Sequence, residues 1–419
     1  MVSKPVQGKE EQLAAVEELL AESGEAYLVG SANWPIPGRR ADRDYAIAAD
    51  PEAVGSTIAD RLGGRLVMLD RHRRYARLVL RGCRPIDLAP LPDGGIAADL
   101  ARRDFTMDAI ARQLPALRPQ LDPFRGLADL RYGLLRMVSA RAFRDDPLRV
   151  LRGVRLVAEH GFHIESETLA TMAQAVPRLV LVHGERLRME IIRALAAPGW
   201  LRAANLLLDL RVWPALPCYP LLTPEPSRLQ EYVHGIAAAS TESSGWALPS
   251  APGLGQAQTR AIAVLAATVL ASGVDTFDLG SVCRSLRLSS KEQALLIAII
   301  RAHGDLGRHP TLNAGGVVRL LVRYGPAAIW AAALSGDMRM VERLAEARLF
   351  PDDLMPAGDE LARLAGRPAG QWLGSFIKRL QLRLSLSGAQ TREEALHAAL
   401  ALLRESSASE SDTPERGNG

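Results

Sequence analysis

The stretch DRDYAIAA, Asp42 to Ala49, places two acids two positions apart at the head of an apolar run. On a strand, side chains alternate between faces, so Asp42 and Asp44 share one face, with Cα atoms roughly 6.5–7 Å apart, and Arg43 takes the other. Taken alone, the DxD pair fits a surface turn as well as a metal site, and the neighbouring segments decide. Upstream, AYLVG reads as a short buried strand, and residues 9–22, KEEQLAAVEELLAE, as an amphipathic helix ended by Ser23 and Gly24. Downstream, residues 54–62 read as a helix, and RLVMLD, YARLVLRG and RPIDLAPL as strands. This alternation over the first 140 residues predicts a small α/β domain.

The 419 residues suffice for about two to four domains. Hydrophobic residues make up 48% and charged residues 23%, ordinary for a soluble globular chain. MVSKPVQGKEEQ has no apolar signal core, and the longest apolar run, AIAVLAATVLASGV, has 14 residues, short for a bilayer. No membrane partner is expected. Cys83, Cys218 and Cys283 lie far apart without pairing or metal-ligand spacing, which fits a reducing cytoplasm.

The net charge of +4 conceals an asymmetry. Between Pro35 and Arg155 there are 23 Arg against 15 Asp and Glu, or +8, so the remainder carries −4. A basic segment that also holds paired acids suits a polyanionic partner and metal ions. An arginine-rich composition, with only four lysines in the chain, explains the excess equally well but not the positions.

After Pro147 the periodicity turns helical: DPLRVLRGVRLVAEHG, ESETLATMAQAV, GERLRMEIIRALAA and LRAANLLLDL each repeat at helical spacing. Residues from Trp213 to about Gly255 read as a loop-rich connection, with helices again from Gln256 to Leu403. The expected divisions are an N-terminal helical extension (1–24), an α/β head (25–140), a helical neck (141–212), a helical body and tail (213–403) and a polar, disordered end (404–419).

Two carboxylates on one strand face repel unless a cation lies between them, and a Mg²⁺ pair is the usual solution in nucleotidyl transfer. Asp87, in PIDLAP, is the candidate third acid. In ARRDFTMDAIA, residues 101–111, Arg102, Arg103, Asp104 and Asp108 crowd the lip of an apparent strand, as either a charged helix end or a phosphate site. In DDPLR, Asp146, Arg149 and Arg152 fall on one helix face. A fixed carboxylate that accepts from an exocyclic amine, beside a guanidinium that donates to a ring nitrogen, would take cytosine and adenine. The same pair would leave guanine and uracil unpaired. Asp146, followed by Pro147, also makes an ideal helix cap, and both readings stay open.

In chain order stand LVG…DRDYAI, DLARRDFTMDAIA, LDPFRGLADLRYGLLRMV, FRDDPLRVLRGVRLVAEHGF and GERLRMEI. This series resembles the bacterial tRNA nucleotidyltransferase (CCA-adding enzyme) and poly(A) polymerase family, class II type, over about residues 26–195. The resemblance implies an α/β nucleotidyltransferase head followed by an elongated all-α neck, body and tail. It assigns catalytic metal binding to Asp42 and Asp44, and ribose and triphosphate contacts to Arg102, Arg103 and Asp104. Base reading falls to Asp146 and Arg149, with Asp145 bracing Arg149 in place of the usual Glu. Asp108 and Arg152 complete the nucleotide site. Gly126 would supply hinge freedom, and Glu185, Arg186 and Glu190 an intrahelical network supporting the neck.

The implied reaction is Mg²⁺-dependent addition of C and A, from CTP and ATP, to the 3′ end of an RNA, above all a tRNA. Alternatives within the family are poly(A) synthesis or CC-only or A-only addition; outside it stands an RNA- or nucleotide-binding chain without turnover. The mildly acidic C-terminal end leans toward tRNA. Three departures bear on these choices. In the first motif Gly30 is kept, Ser31 replaces a glycine, and Asn33-Trp34-Pro35 replaces an Arg-Asp pair, with Pro35 and Pro37 breaking the helix behind it. Arg39 and Arg40 are candidate substitutes as phosphate ligands. Asp108 stands where Asn is usual. After Pro214 no His-Asp pair occurs, so no phosphohydrolase activity is expected.

Overall fold

The computed structural model of the chain describes residues 9–35, 42–115, 120–218, 221–240, 248–274 and 278–411. It divides into two compact units, residues 1–190 with 209–215, and residues 191–208 with 216–419.

The first unit is built on a six-stranded sheet. Its elements begin with α1 (Lys9–Glu22), β1 (Ala26–Val29), β2 (Arg43–Ile47), α2 (Pro51–Leu62), β3 (Arg65–Asp70), β4 (Tyr75–Val79) and β5 (Ile86–Pro90). They continue with α3 (Gly95–Ala101) and β6 (Ala111–Gln113), and the strand order is β3-β4-β5-β2-β1-β6. Only β2 and β5 run parallel; the other neighbours are antiparallel. Local signals fix the ends of α2: Asp50 caps its first turn by accepting from the Glu52 and Ala53 amides, and Gly63 closes it in a left-handed conformation.

Strand alternation splits the core into two layers. Leu28, Tyr45, Ile47, Ile86 and Leu88 pack with Val16 and Leu20 of α1 and Ile58 of α2. Tyr27, Val29 and Ala46 point the other way, onto Leu100, Ala109 and Ala111. The second layer therefore brings the residues around the Arg102-Arg103-Asp104 run against the face that Asp44 shares with Ala46.

The unit is completed by α4 (Gly126–Arg131), β7 (Leu134–Leu135), α5 (Arg141–Asp145), α6 (Arg149–His160), β8 (His163–Ile164) and α7 (Ser166–Ala175). Two further helices, α8 (Gly184–Ala196) and α9 (Trp200–Asp209), carry the chain into the second unit. Helix α6 buries Val150, Leu151, Val154, Leu156 and Val157 and closes at Gly161 in the left-handed conformation.

The second unit is helical: α10 (Pro226–Ala239), α11 (Gln256–Ala271), α12 (Leu279–Ser285), α13 (Ser290–Arg308), α14 (Ala314–Tyr324), α15 (Pro326–Leu334), α16 (Met338–Glu346), α17 (Gly358–Leu364), α18 (Gln371–Ser387) and α19 (Arg392–Ser411). Helix α15 is buried from Ala327 to Leu334 and packs against α10, α13 and α16. Phe350, Leu361, Phe376, Leu380, Leu384, Ala395 and Leu402 form a second core under the last helices. Among the described residues no single helix is long and apolar enough to cross a membrane.

Two expectations need correction. The stretch after Trp213 holds a 14-residue helix, α10, because Pro226 sits in its first turn, where no amide is required, and Glu225 accepts from the Ser227 and Arg228 amides. At the C-terminal end, helix α19 continues through Ser411, past the expected order limit at Leu403.

Candidate active site

Asp44 lies inside β2, in register with Val29 of β1 and Asp87 of β5. Parallel in-register neighbours share a face, so Asp44 and Asp87 stand side by side, with Asp42 at the strand's mouth. Burial, then the charge of Asp87, then that of Asp42, push the Asp44 carboxyl up to about 6, while Arg103 and Arg152 pull it down. Its neighbours are already paired. Both Asp87 oxygens accept from Arg77, at 2.7 and 2.8 Å, and Asp42, 76% exposed, accepts from Arg84 at 3.1 Å. Asp44, half-buried in its strand, accepts no hydrogen bond among the described residues.

Helix α3 delivers the two arginines. Arg102 donates Nε and Nη2 to one oxygen of Asp99, at 3.2 and 2.7 Å; Arg103 donates Nε and Nη2 to the other, at 3.0 and 2.8 Å. Burial alone would raise the Asp99 carboxyl, but Arg103 and then Arg102 hold it below the ordinary value. Asp99 carries no motif of its own in the sequence. Its signal is the spacing of 99, 102 and 103, the i, i+3, i+4 geometry of one helix face.

Asp104 and Asp108 are both buried and share Arg152. Asp104 accepts from Arg152 Nε at 2.8 Å and from the Phe105 amide at 3.0 Å; Asp108 accepts from Arg152 Nη2 at 3.4 Å. Burial works against both charges. Arg152 and Arg149 outweigh it at Asp104, whose carboxyl lies low, whereas burial and Asp104 leave the Asp108 carboxyl raised. The extra acid at position 108 is offset only in part by Arg152 and by Arg103, whose Nη1 donates to the Asp108 carbonyl at 3.4 Å.

In the DDPLR segment, Asp146 accepts from the Leu148 amide at 3.1 Å through one oxygen and from Arg186 of α8 at 2.8 Å through the other, so it caps the turn while lining the groove. Arg149 donates to the Ala142 carbonyl at 3.3 Å. Asp145 does not brace it: its partner is Arg141, one helical turn earlier, at 3.3 Å. The network expected within α8 is likewise an inter-helix one, since Arg186 reaches Asp146, and Glu190 accepts from Arg155 of α6 at 2.6 Å.

The first-motif turn is rebuilt. Gly30, with φ +72°, opens a short 3₁₀ turn, and its amide donates to the Ile110 carbonyl at 3.1 Å, so it is already satisfied within the fold. A side chain there would stand 3.2 Å from Arg103 Nη1, so glycine lets Arg103 approach β1. Asn33 donates to the Leu28, Gly30 and Ile110 carbonyls, and Trp34 Nε1 donates to the Met107 carbonyl at 2.7 Å. Ser31 belongs to the same turn; Pro37, Arg39 and Arg40 lie outside the described residues. Gly126 is closely packed: a Cβ there would come within 2.1 Å of the Thr106 carbonyl oxygen.

An open groove of about 540 Å³ is lined by Arg102, Arg103 and Asp104, by Asp146, Arg149, Arg152 and Arg186, and by Tyr75 and Ala89 of the sheet. Asp42, Asp44, Asp87, Gly30, Ser31, Asp108 and Asp145 are outside this lining. Asp44 is tied to it through the charges of Arg103 and Arg152. Among the described residues no group of three or more His, Cys, Asp or Glu is arranged to hold a metal. The two hard carboxylates of Asp42 and Asp44 have the chemistry a magnesium ion takes, with phosphate and water as its other ligands.

A family signature described as "Probable RNA and SrmB- binding site of polymerase A" matches residues 161–219. A CC-adding tRNA nucleotidyltransferase of Geobacter sulfurreducens is 42% identical over 158 residues, 38% of this chain and 36% of the relative. The CCA-adding enzyme of Geobacillus kaustophilus is 26% identical over 93% of this chain and 96% of its own length. Among solved structures, the Thermotoga maritima CCA-adding enzyme complexed with tRNA superposes with a TM-score of 0.70 at 22% identity, covering 96% of this chain and 97% of that one, a likeness of fold. The chain spans under half the length of the curated relatives matched at 34–42% identity. The chain is thus similar to bacterial tRNA nucleotidyltransferases, at 42% identity over part of its length and at 26% over nearly all of it.

Proposed function

We propose that the chain adds C and A to the 3′ end of a tRNA, using CTP and ATP and releasing pyrophosphate. The observation that carries this reading is Asp44: a half-buried carboxylate without a hydrogen-bond partner among the described residues, in register with Asp87, two positions from Asp42 and under the charges of Arg103 and Arg152. Magnesium held by Asp42 and Asp44 would lower the pKa of the attacking hydroxyl and neutralise triphosphate charge. Asp87 would hold Arg77 in place beside them.

The remaining work falls to the groove. Arg102 and Arg103 donate to phosphate oxygens with donor edges left free by Asp99. Asp104, fixed by Arg152, orients the ribose. Asp146 accepts from the exocyclic amine of cytosine or adenine while Arg149 donates to the ring nitrogen. The RNA 3′ oxygen bonds to the α-phosphorus, the bond to pyrophosphate breaks, and the hydroxyl proton leaves to solvent. No covalent enzyme intermediate is needed, because positioning and charge stabilisation suffice. The helical unit would hold the RNA by shape and backbone contacts. The proposed reaction would be carried out in the cytoplasm.

Two other readings rest on particular observations. The CC-adding name of the Geobacter relative favours partial addition. The satisfied Gly30 amide and the rebuilt Asn33-Trp34 turn favour nucleotide binding without turnover. One assay separates all three. Purified protein, Mg²⁺ and one labelled nucleotide at a time are incubated with tRNA transcripts ending before CCA, after CC, or complete. CTP and ATP should be incorporated and GTP and UTP refused. CTP alone points to CC addition, ATP alone to terminal or poly(A) addition, and no incorporation on any transcript sinks the enzyme reading.

A further inference from the structure

Asp99 has no role in the reaction so far, yet it is among the most buried acids of the first unit, 3% exposed in the wall of the groove beside Arg102 and Arg103. We propose that Asp99 is a positioning residue that sets the Arg102 and Arg103 guanidinium groups side by side for the triphosphate before a nucleotide arrives. The proposal deepens the nucleotidyl-transfer reading and rests on it.

Adjacent guanidinium groups repel, and long arginine side chains sample many rotamers. Asp99 removes both obstacles with a single carboxylate. Each oxygen takes one arginine edge-on, through Nε and Nη2, at 2.7 to 3.2 Å. A guanidinium has five N–H groups, so each arginine retains donors on its other edge. At Arg103 the retained Nη1 lies 3.4 Å from the Asp108 carbonyl, beside Gly30, which shows where that edge points.

A merely structural role for Asp99 would involve the backbone, as a helix cap does. Its carboxylate accepts no backbone amide among the described residues; every bond it makes is to these two side chains. The arrangement gives up some positive charge in return for fixed direction, the trade expected where a planar phosphate face must be met by two forks at once.

The test uses the full chain and inorganic tripolyphosphate, which has no base or ribose, with binding measured by titration calorimetry in buffer free of divalent ions. Asp99→Asn keeps the shape but offers an amide where one arginine needs an acceptor. It should weaken tripolyphosphate binding about tenfold and raise the KM for CTP and ATP by a similar factor, with the KM for RNA within twofold of wild type. Arg102→Lys, at a half-exposed position, keeps the charge without the fork and should weaken tripolyphosphate binding in the same direction, whether or not Asp99→Asn folds. Unchanged tripolyphosphate affinity in either folded variant overturns the proposal, even if its melting temperature falls. A wild-type protein that binds tripolyphosphate but incorporates no nucleotide defeats the enzyme reading, while calorimetry still decides the role of Asp99.

Discussion

At Asp44 the requirements of chemistry and of folding conflict. Its carboxyl lies at about 6 against an ordinary 3.8, so between these values the folded protein holds the proton that the unfolded chain has released. Stability therefore falls as pH rises through that window, and the loss is complete above it. The shift corresponds to at most ~3 kcal/mol, and to about 1–2 kcal/mol after allowance for residual hydration. In buffer free of divalent ions, Asp44→Asn should melt at a higher temperature than wild type at pH 7.5, and the two should converge at pH 4 and below. Magnesium should raise the wild-type melting temperature and leave the variant's unchanged. A wild type as stable as the variant at pH 7.5 without divalent ions would show that Asp44 carries no uncompensated charge. Alternation made this residue legible in the sequence, since position 44 and its neighbour at 42 must share a face. Asp99 was not legible in the same way: its importance lies in what it touches, and the arginines beside it drew the reading to themselves.

At the level of elements, the turn at residues 30–34 shows where sequence patterning misleads. Asn33 and Trp34 read as the loss of a phosphate-binding pair, yet they are anchors. Trp34 is buried, bonded to the Met107 carbonyl, and packed edge-on against His160 at 5.4 Å and Phe162 at 5.8 Å. It thereby ties the turn behind Gly30 to the segment that follows Arg103 and to the end of α6. An irregular stretch has no period from which a partner 73 residues away could be inferred. Strands and long helices were legible because their burial repeats: α1 spans Lys9–Glu22 and β1 is buried throughout, both as their patterns predict. The Arg102–Asp108 run instead straddles a helix end and a 3₁₀ turn, with its ordering supplied by Asp99 one turn back and by Arg152 of α6. Trp34→Ala should therefore cost about 3–5 kcal/mol in urea unfolding, and Trp34→Phe, which keeps most of the packing and loses the indole N–H, about 1–2 kcal/mol. Nucleotide KM should rise in the alanine variant, because Gly30 and Arg103 approach each other across this turn. An alanine variant as stable as wild type would mean that the turn is held by Asn33 alone.

At the scale of the whole molecule, the charge asymmetry of the sequence has a physical location. Arg102, Arg103, Arg149 and Arg152 all belong to the +8 stretch between Pro35 and Arg155 and converge on one groove of the first unit. The helical unit has its own core, with Phe350, Leu361, Phe376 and Leu380 among its buried residues. If chemistry belongs to the first unit and most of the RNA grip to the second, catalysis and RNA binding must come apart under mutation. Replacing Asp42 and Asp44 together by alanine removes two negative charges that repel phosphate, so it gives no electrostatic reason for RNA to bind less well. The double variant should lose incorporation on the order of a thousandfold or more, since charge stabilisation at the reacting phosphorus is the main catalytic contribution. Its dissociation constant for a tRNA transcript, measured by gel shift at fixed salt, should stay within twofold of wild type. A tenfold loss of RNA binding in a variant that still melts cooperatively would place the acids in the RNA contact and remove the division of labour between the two units.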